Sequence, residues 1–258
     1  MPTSIDPPSV VSTPWITYYK PNPQARLRLF CFPYAGGGSA VFRAWEDKMP
    51  DTVEVCPVQL PGREARLMEA PFNRLSTLVQ AAAQALLPYL EKPFAFFGHS
   101  MGALVSFELA RQLRRQHDLA PAYLFVSGRL PPQMADNSGP TYDLPDAQFM
   151  EMLLNLNGTP KEVLEHPALM ELMLPMLRAD FEVCQTYRYV EEPPLNCPLT
   201  VFGGLQDETD RKSLETWREQ TTASFSLRML PGDHFFLHTA QTQLIRIVAQ
   251  ELSHRTML

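Results

Sequence analysis

A serine flanked by two glycines, in the stretch Gly98-His-Ser-Met-Gly102, has the G-x-S-x-G spacing of a nucleophile elbow. The apolar residues 94–97 predict a short buried strand before it, and a helical pattern begins directly after Ser100. A serine on such a turn is held in a strained backbone conformation, and the crowding on both sides of it requires small residues. We therefore expect Ser100 to be a nucleophile, whereas the neighbouring His99 should point away from it and pack elsewhere.

Two backbone N–H groups are candidates for stabilising an oxyanion beside this serine. The first belongs to Met101, which opens the predicted helix. The second belongs to a glycine-rich loop, Tyr34-Ala-Gly-Gly-Gly38, which follows a predicted strand but lacks the Gly-Lys-Ser/Thr of a phosphate-binding loop. In this position such a loop predicts Ala35 as the second donor, with Tyr34 and Gly36 lining the substrate pocket. A flexible turn into a helix at residues 40–48 is the alternative.

A serine hydroxyl needs a base to act as a nucleophile, and the base needs an acid to orient it. His234 follows the last predicted strand and Asp207 follows the strand before it, so the chain order is serine, acid, histidine. Asp210 is the alternative acid, one turn later. Asp233 is disfavoured because it adjoins its own partner. The sequence thus predicts His234 as the base and Asp207 as the acid.

Strands and helices alternate along most of the chain, which predicts a mainly parallel sheet covered by helices on both faces. The expected strands are residues 26–32, 53–58, 94–97, 122–127, 199–202 and 226–230. Helical patterns cover residues 75–87 and 244–252 as well as the segment after the elbow. Because functional loops of a parallel sheet gather at the carboxyl ends of its strands, Ser100, Asp207 and His234 should converge there.

The alternation breaks at residues 130–190, where Pro131-Pro132 and a polar turn precede helical patterns at about 146–156 and 169–187. This segment holds six of the twelve methionines: Met134, Met150, Met152, Met170, Met173 and Met176. We expect it to be a lid whose flexible thioether side chains line an adaptable apolar tunnel; ordinary helix packing of the methionines is the alternative. Asp180 and Glu182, which belong to this segment, are expected to be solvated.

Composition limits the remaining possibilities. The chain has 258 residues, 45% of them hydrophobic, and a formal net charge of −6, which argues against general binding to nucleic acid or anionic membranes. It has neither a signal-peptide pattern nor the ~18 apolar residues of a membrane span, which predicts a soluble cytoplasmic protein. The four cysteines show no metal-ligand spacing. We expect a flexible arm at residues 1–14 and a single domain at 15–258.

Four motifs in this order resemble those of the external, type II thioesterases that accompany polyketide synthases and nonribosomal peptide synthetases. They are Phe32-Pro-Tyr-Ala-Gly-Gly-Gly38, Pro57-Val-Gln-Leu-Pro-Gly-Arg-Glu64, Gly98-His-Ser-Met-Gly102 and Gly232-Asp-His-Phe-Phe236. The resemblance spans about residues 15–252 and implies the α/β-hydrolase fold with a helical lid. It also implies an acylated Ser100, His234 as base, Asp207 as its orienting acid, and the N–H groups of Met101 and Ala35 as the oxyanion hole.

The resemblance implies hydrolysis of acyl thioesters on the phosphopantetheine arm of acyl or peptidyl carrier proteins, which clears stalled or aberrant acyl groups. It implies a monomer that needs no metal or organic cofactor. Three alternatives remain: a medium-chain fatty-acyl thioesterase acting with a fatty acid synthase, a general carboxylesterase, and a catalytically idle synthase partner. Because carrier proteins are commonly acidic, we expect docking on a basic patch, either Arg111, Arg114 and Arg115, or the turn that carries Arg63 and Arg66.

Overall fold

The fold is built on one all-parallel sheet of six strands, as the sequence predicts. A computed structural model describes residues 13–17, 21–134, 139–156 and 166–256. The strands are β1 (Leu27–Phe32), β2 (Val53–Pro57), β3 (Phe94–His99), β4 (Tyr123–Ser127), β5 (Leu199–Gly204) and β6 (Phe225–Leu230). Their order in the sheet is β2-β1-β3-β4-β5-β6. The elbow strand β3 is therefore central, and the chain reverses direction along the sheet next to it, where open α/β sheets bind ligands.

Seven α-helices accompany the sheet in the described residues. They are α1 (Leu75–Leu86), α2 (Met101–His117), α3 (Asp146–Asn155), α4 (Pro167–Gln185), α5 (Arg211–Glu215), α6 (Phe236–Thr239) and α7 (Gln241–Thr256). The final helix is longer than the predicted 244–252, and the separate short helix α6 lies directly before it. No helix of the described ranges is long and apolar enough to cross a membrane.

The central strands are buried on both faces, which explains why they appear in the sequence as continuous apolar runs. On one face Phe96 packs edge-on against Phe30 and Phe32, in a core that includes α1 and α2. On the other face Phe97 packs against Trp45, in a core that includes α7. Consecutive residues of β3 thus anchor opposite layers, as the two-residue period of a strand requires.

The prediction of a helix at residues 40–48 is wrong. Two short 3-10 turns, Ser39–Phe42 and Glu46–Lys48, occupy the segment instead. Phe42 and Trp45 are both fully buried, and their ring centroids lie 5.3 Å apart. The Trp45 N–H donates to the Phe42 carbonyl at 2.9 Å, an i to i+3 bond, so the tighter winding continues between the two turns.

Residues 130–190 form an insertion between β4 and β5, and its described part has a small core of its own. Helices α3 and α4 enclose that core, which contains Phe149, Leu153, Met170, Met176 and Leu177. Met170 and Met176 are therefore packing residues. Residues 135–138 and 157–165 of the insertion lie outside the described residues, as does most of the predicted arm at 1–14.

Candidate active site

The turn between β3 and α2 has the geometry of a nucleophile elbow. Ser100 has φ 54° and ψ −112°, a region that side-chain-bearing residues rarely occupy. Its N–H donates to the Ser127 carbonyl oxygen at 2.8 Å, which ties the turn to the neighbouring strand. A β-carbon on Gly98 would overlap the Gly102 carbonyl, and one on Gly102 would overlap the Phe32 carbonyl. Glycine is thus required on both sides because the helix lies directly against two strands.

Both expected oxyanion donors lie close to this serine in the fold. Met101 is the first residue of α2, so its N–H has no carbonyl acceptor one turn earlier in the helix. Ala35 follows β1, the strand that pairs with β3, and lines the same cavity as Ser100 and His234. The two N–H groups belong to the loops that follow adjacent strands, which is the arrangement that an oxyanion hole needs.

His234 and Asp207 are joined by a hydrogen bond, with 3.0 Å between Nδ1 and Oδ2. Asp207 follows β5 and has a 5% exposed side chain, while that of His234, after β6, is 33% exposed. Burial raises the pKa of the Asp207 carboxyl. The hydrogen bond and positive charge of His234, together with the N–H groups of Thr209 and Glu208, outweigh burial and leave that pKa below its usual value. The acid is thus held as a carboxylate facing the imidazole.

The competing polar residues are engaged elsewhere. Asp210 caps helix α5 by accepting hydrogen bonds from the N–H and hydroxyl of Ser213. Asp233 accepts the N–H of Phe235. His238 bonds through Nε2 to the Tyr34 hydroxyl at 3.0 Å. Tyr34 therefore presents its ring, rather than a free hydroxyl, to the cavity that it lines.

Ser100 and His234 face each other across shared space. In the described part of the chain, no direct hydrogen bond joins their side chains, although both line the same two cavities. Such contacts are often long in unliganded enzymes and shorten when substrate binds. A substrate carbonyl bound in this shared space can therefore contact both residues.

Two cavities of different character meet at Ser100. One, of about 320 Å³, lies under the insertion and is lined by apolar side chains, including Met152, Leu153, Leu156, Leu177 and Phe181. The other, of about 400 Å³, has a polar wall that includes Arg129, Gln133, Tyr187, Arg188 and Thr209. An apolar group and a polar chain can therefore reach the serine from different sides.

A family model described as the thioesterase domain matches residues 27–252. This chain belongs to the thioesterase family. It is 50% identical to a Brevibacillus parabrevis protein named linear gramicidin dehydrogenase LgrE, over 92% of each chain. It is 37% identical to the medium-chain S-acyl fatty acid synthase thioesterase of Rattus norvegicus, over 84% of this chain and 83% of that one. Although the first relative is named a dehydrogenase, the family model and the elbow of this chain are those of a thioesterase.

A solved structure supports the same assignment. The type II thioesterase BorB, from the borrelidin biosynthetic cluster, superposes with a TM-score of 0.84 at 32% identity, over 92% of this chain and 97% of that one. The resemblance to type II thioesterases and the α/β-hydrolase fold are thereby confirmed, and the protein is a thioester hydrolase.

His99 of this thioesterase is fully buried directly behind the base. Its Nδ1 lies 2.8 Å from the Ser127 hydroxyl, and its ring centroid is 5.3 Å from that of His234. Tyr34 and Phe236 pack edge-on against the same ring. Burial lowers the pKa of His99 well below its usual value, and the nearby charge of His234 lowers it further. His99 thus stays neutral and supports the site by packing.

Replacing His99 with asparagine is expected to weaken the dependence of stability on pH. Below about pH 6.5 the unfolded chain gains a proton on this histidine while the folded chain does not, so wild type loses up to about 1.4 kcal/mol per pH unit. The loss continues until the pH reaches the lowered folded-state pKa. Urea unfolding at pH 7.5, 6.5 and 5.5 measures both slopes, and parallel curves for the two proteins would contradict a neutral buried His99.

Asp180 and Glu182 of the insertion are both expected from the sequence to be solvated, and the structure contradicts this for Asp180, while Glu182 remains partly exposed. Asp180 is 2% exposed and forms a two-bond ion pair with Arg63, at 2.7 and 2.8 Å. Glu182 pairs with Arg74 in front of α1. No local pattern predicts either contact, because each partner lies more than a hundred residues away along the chain.

The basic patches proposed from sequence are largely neutralised. Arg63 and Arg66 are buried, the latter paired with Glu69, so their turn offers no docking surface. Arg111 is also buried. Arg111, Arg114 and Arg115 all pair with the carboxylate of Glu192, and Arg111 also pairs with Glu108. Within the described ranges, no cluster of three or more His, Cys, Asp or Glu side chains could hold a metal ion.

Proposed function

We propose that this thioesterase hydrolyses acyl thioesters carried on the phosphopantetheine arm of carrier proteins in nonribosomal peptide or polyketide assembly, and so removes aberrant or stalled acyl groups. The observation that carries the proposal is the His234–Asp207 hydrogen bond facing an elbow serine where two cavities meet. The relative named for linear gramicidin and the type II thioesterase from the borrelidin biosynthetic cluster support the choice of pathway class.

In the first half of the reaction the acyl group moves to the enzyme. Ser100 Oγ attacks the thioester carbon while His234 Nε2 accepts the hydroxyl proton. Asp207 holds the Nδ1 proton and stabilises the imidazolium. The N–H groups of Met101 and Ala35 donate to the tetrahedral oxyanion. When this intermediate collapses, the carbon–sulfur bond breaks and His234 returns the proton to the departing pantetheine thiol.

In the second half, water releases the acid. His234 takes a proton from water as the oxygen attacks the ester carbon, and the same N–H groups stabilise the second oxyanion. Collapse breaks the bond to Ser100, whose oxygen regains the proton from His234. All steps are carried by side chains and backbone groups of this chain, so the proposal needs no cofactor.

The two cavities suit the two ends of such a substrate. The apolar cavity beneath α3 and α4 can take the acyl chain, and the insertion then acts as its lid. The polar cavity, with Arg129 and Arg188 in its wall, can take the amide-rich pantetheine arm and its phosphate. One methylene contributes only about 1–3 kcal/mol to discrimination in such a pocket. The enzyme should therefore accept acyl groups of many lengths, as the removal of stalled groups requires.

The proposal is tested by comparing substrates that share one acyl group. We expect kcat/KM for an acetyl group on a phosphopantetheinylated carrier protein to exceed that for the matching aryl ester by at least about tenfold, because contacts to the arm and carrier are used in the transition state. Acetyl-pantetheine without the carrier is the control that separates the two contributions. Equal or faster turnover of the aryl ester would indicate a general esterase.

A medium-chain fatty-acyl thioesterase is the second candidate, favoured by the rat relative and by the apolar wall of the acyl cavity. The same assay with acetyl, butyryl, octanoyl and dodecanoyl groups separates the two candidates. A flat profile that includes acetyl supports clearing of stalled groups. A maximum at octanoyl or longer, with acetyl at least about tenfold slower, would support fatty-acid release.

A further inference from the structure

The glycine-rich loop that carries Ala35 is held by a buried ion pair outside the proposed catalytic residues. We infer that Asp180 and Arg63 are positioning residues for the oxyanion hole, and that the ion pair couples its shape to the insertion. The inference rests on the proposed function because it takes the Ala35 N–H as an oxyanion donor. Neither residue lines the two cavities at Ser100, so both act through the loop.

The loop is a tight turn of a kind whose central peptide can adopt either of two orientations. The Gly37 N–H donates to the Tyr34 carbonyl at 2.9 Å, which closes a four-residue turn around Ala35 and Gly36. Gly36 has φ 81°, as the third residue of a type II turn requires. A type I turn differs by rotation of the central peptide through about 180°, which would redirect the Gly36 N–H. The orientation of the peptide next to the Ala35 donor thus depends on which group accepts the Gly36 N–H.

The Asp180 carboxylate is the group that binds it. Its Oδ2 accepts the Gly36 N–H at 2.8 Å and also accepts Arg63 Nη1 at 2.8 Å. The same Arg63 nitrogen donates to the Gly37 carbonyl at 3.0 Å, so one ion pair holds the central peptide of the turn and the peptide that follows the turn. Arg63 is 5% exposed and Asp180 2%, so these charge-assisted bonds are shielded from water.

The carboxylate of this ion pair belongs to the insertion. Asp180 lies on α4, one turn after Leu177, whose side chain packs so closely on Gly36 that a β-carbon there would collide with it. Leu177 also lines the acyl cavity. Displacement of α4 would therefore remove the carboxylate from the turn at the same time as it opened the cavity. The oxyanion hole should consequently be complete only while α4 is packed against the turn.

The test compares Asp180→Asn with wild type, and adds the double variant Arg63→Met/Asp180→Leu in case one unpaired partner prevents folding. Active sites are counted by titration with a fluorophosphonate, and kcat is expressed per titrated site for both an aryl ester and a carrier-bound thioester. We expect kcat per site to fall about 10- to 100-fold, less than deletion of an oxyanion donor costs, with KM within about threefold. A merely structural role would lower the number of titrated sites instead.

Glu182→Gln is the matched control, because Glu182 also joins α4 to the body, through Arg74, but does not touch the turn. Its kcat per site should stay within about twofold of wild type. In protein with ¹⁵N-labelled glycine, the Gly36 amide signal should move in both test variants and not in the control. Unchanged kcat per site in both test variants would overturn the inference and leave the proposed function intact. Failure of the proposed function would instead appear in wild type, as a lack of thioester turnover.

Discussion

Replacing Ser100 with alanine is expected to lower kcat for thioester hydrolysis by about 10⁶-fold, because loss of the nucleophile disables the whole catalytic unit. Fluorophosphonate labelling should disappear with it. The fold should survive, since alanine fits the same turn between Gly98 and Gly102. The measurement is single-turnover hydrolysis of an acyl-pantetheine, with mass spectrometry of the protein to detect the acyl-enzyme.

Ser106→Ala is the control for this variant. Ser106 is a buried serine of the same helix α2, and its hydroxyl donates to the Ala103 carbonyl at 3.0 Å. We expect its removal to leave turnover within about twofold, because the bond it loses is local to the helix. If Ser100→Ala retained more than a tenth of wild-type activity, the nucleophile would have to lie elsewhere, and the elbow would be an ordinary turn.

Replacing Asp207 with asparagine is expected to lower kcat by about 10⁴-fold with little change in KM, because an amide favours the wrong tautomer of His234 and cannot stabilise its cation. Steady-state kinetics between pH 6 and 9 measure the effect. Any recovery above pH 9 would reflect hydroxide acting in place of the enzymatic base. Activity within tenfold of wild type at pH 7 would contradict the role assigned to Asp207.

The same substitution should change acid stability in a defined direction. The folded-state pKa of Asp207 is lowered, so the carboxylate adds stability that is complete above its unfolded pKa of about 3.9 and is lost as the pH falls through the folded value. Asp207→Asn should therefore be less stable than wild type at pH 7 and match it in strong acid. Asp210→Asn is the matched control: asparagine can still cap α5, and the variant should keep its activity.

Much of the fold is encoded in local patterns. All six strands lie within two residues of the predicted limits, because strands buried on both faces leave continuous apolar runs. The elbow is equally visible, because Gly98, Ser100 and Gly102 lie within five residues, although the crowding at Gly102 comes from Phe32 on a strand distant in sequence. The 3-10 turns at Ser39–Phe42 and Glu46–Lys48 differ from the predicted helix because their N–H groups bond to carbonyls three residues back, which the spacing of apolar residues does not reveal.

The sequence does not determine which methionines of the insertion line a cavity and which pack in a core. The sequence left both a tunnel and ordinary packing open, and the structure divides the set between them. Met152 lines the apolar cavity, Met134 lines the polar one, and Met170 and Met176 fill the core between α3 and α4. Nothing in their spacing distinguishes these positions, because a thioether suits either environment.

The sequence by itself determined the order of strands and helices, the strained turn at Ser100, and the candidate base and acid at His234 and Asp207. Each depends on a few adjacent residues or on the chain order that this architecture imposes. Only the tertiary structure decided that Asp180 leaves solvent to bind Arg63 and the Gly36 N–H, 117 and 144 residues away. A charged residue in a helical pattern is usually exposed to solvent. Asp180 is buried only because α4 packs against the loop after β1.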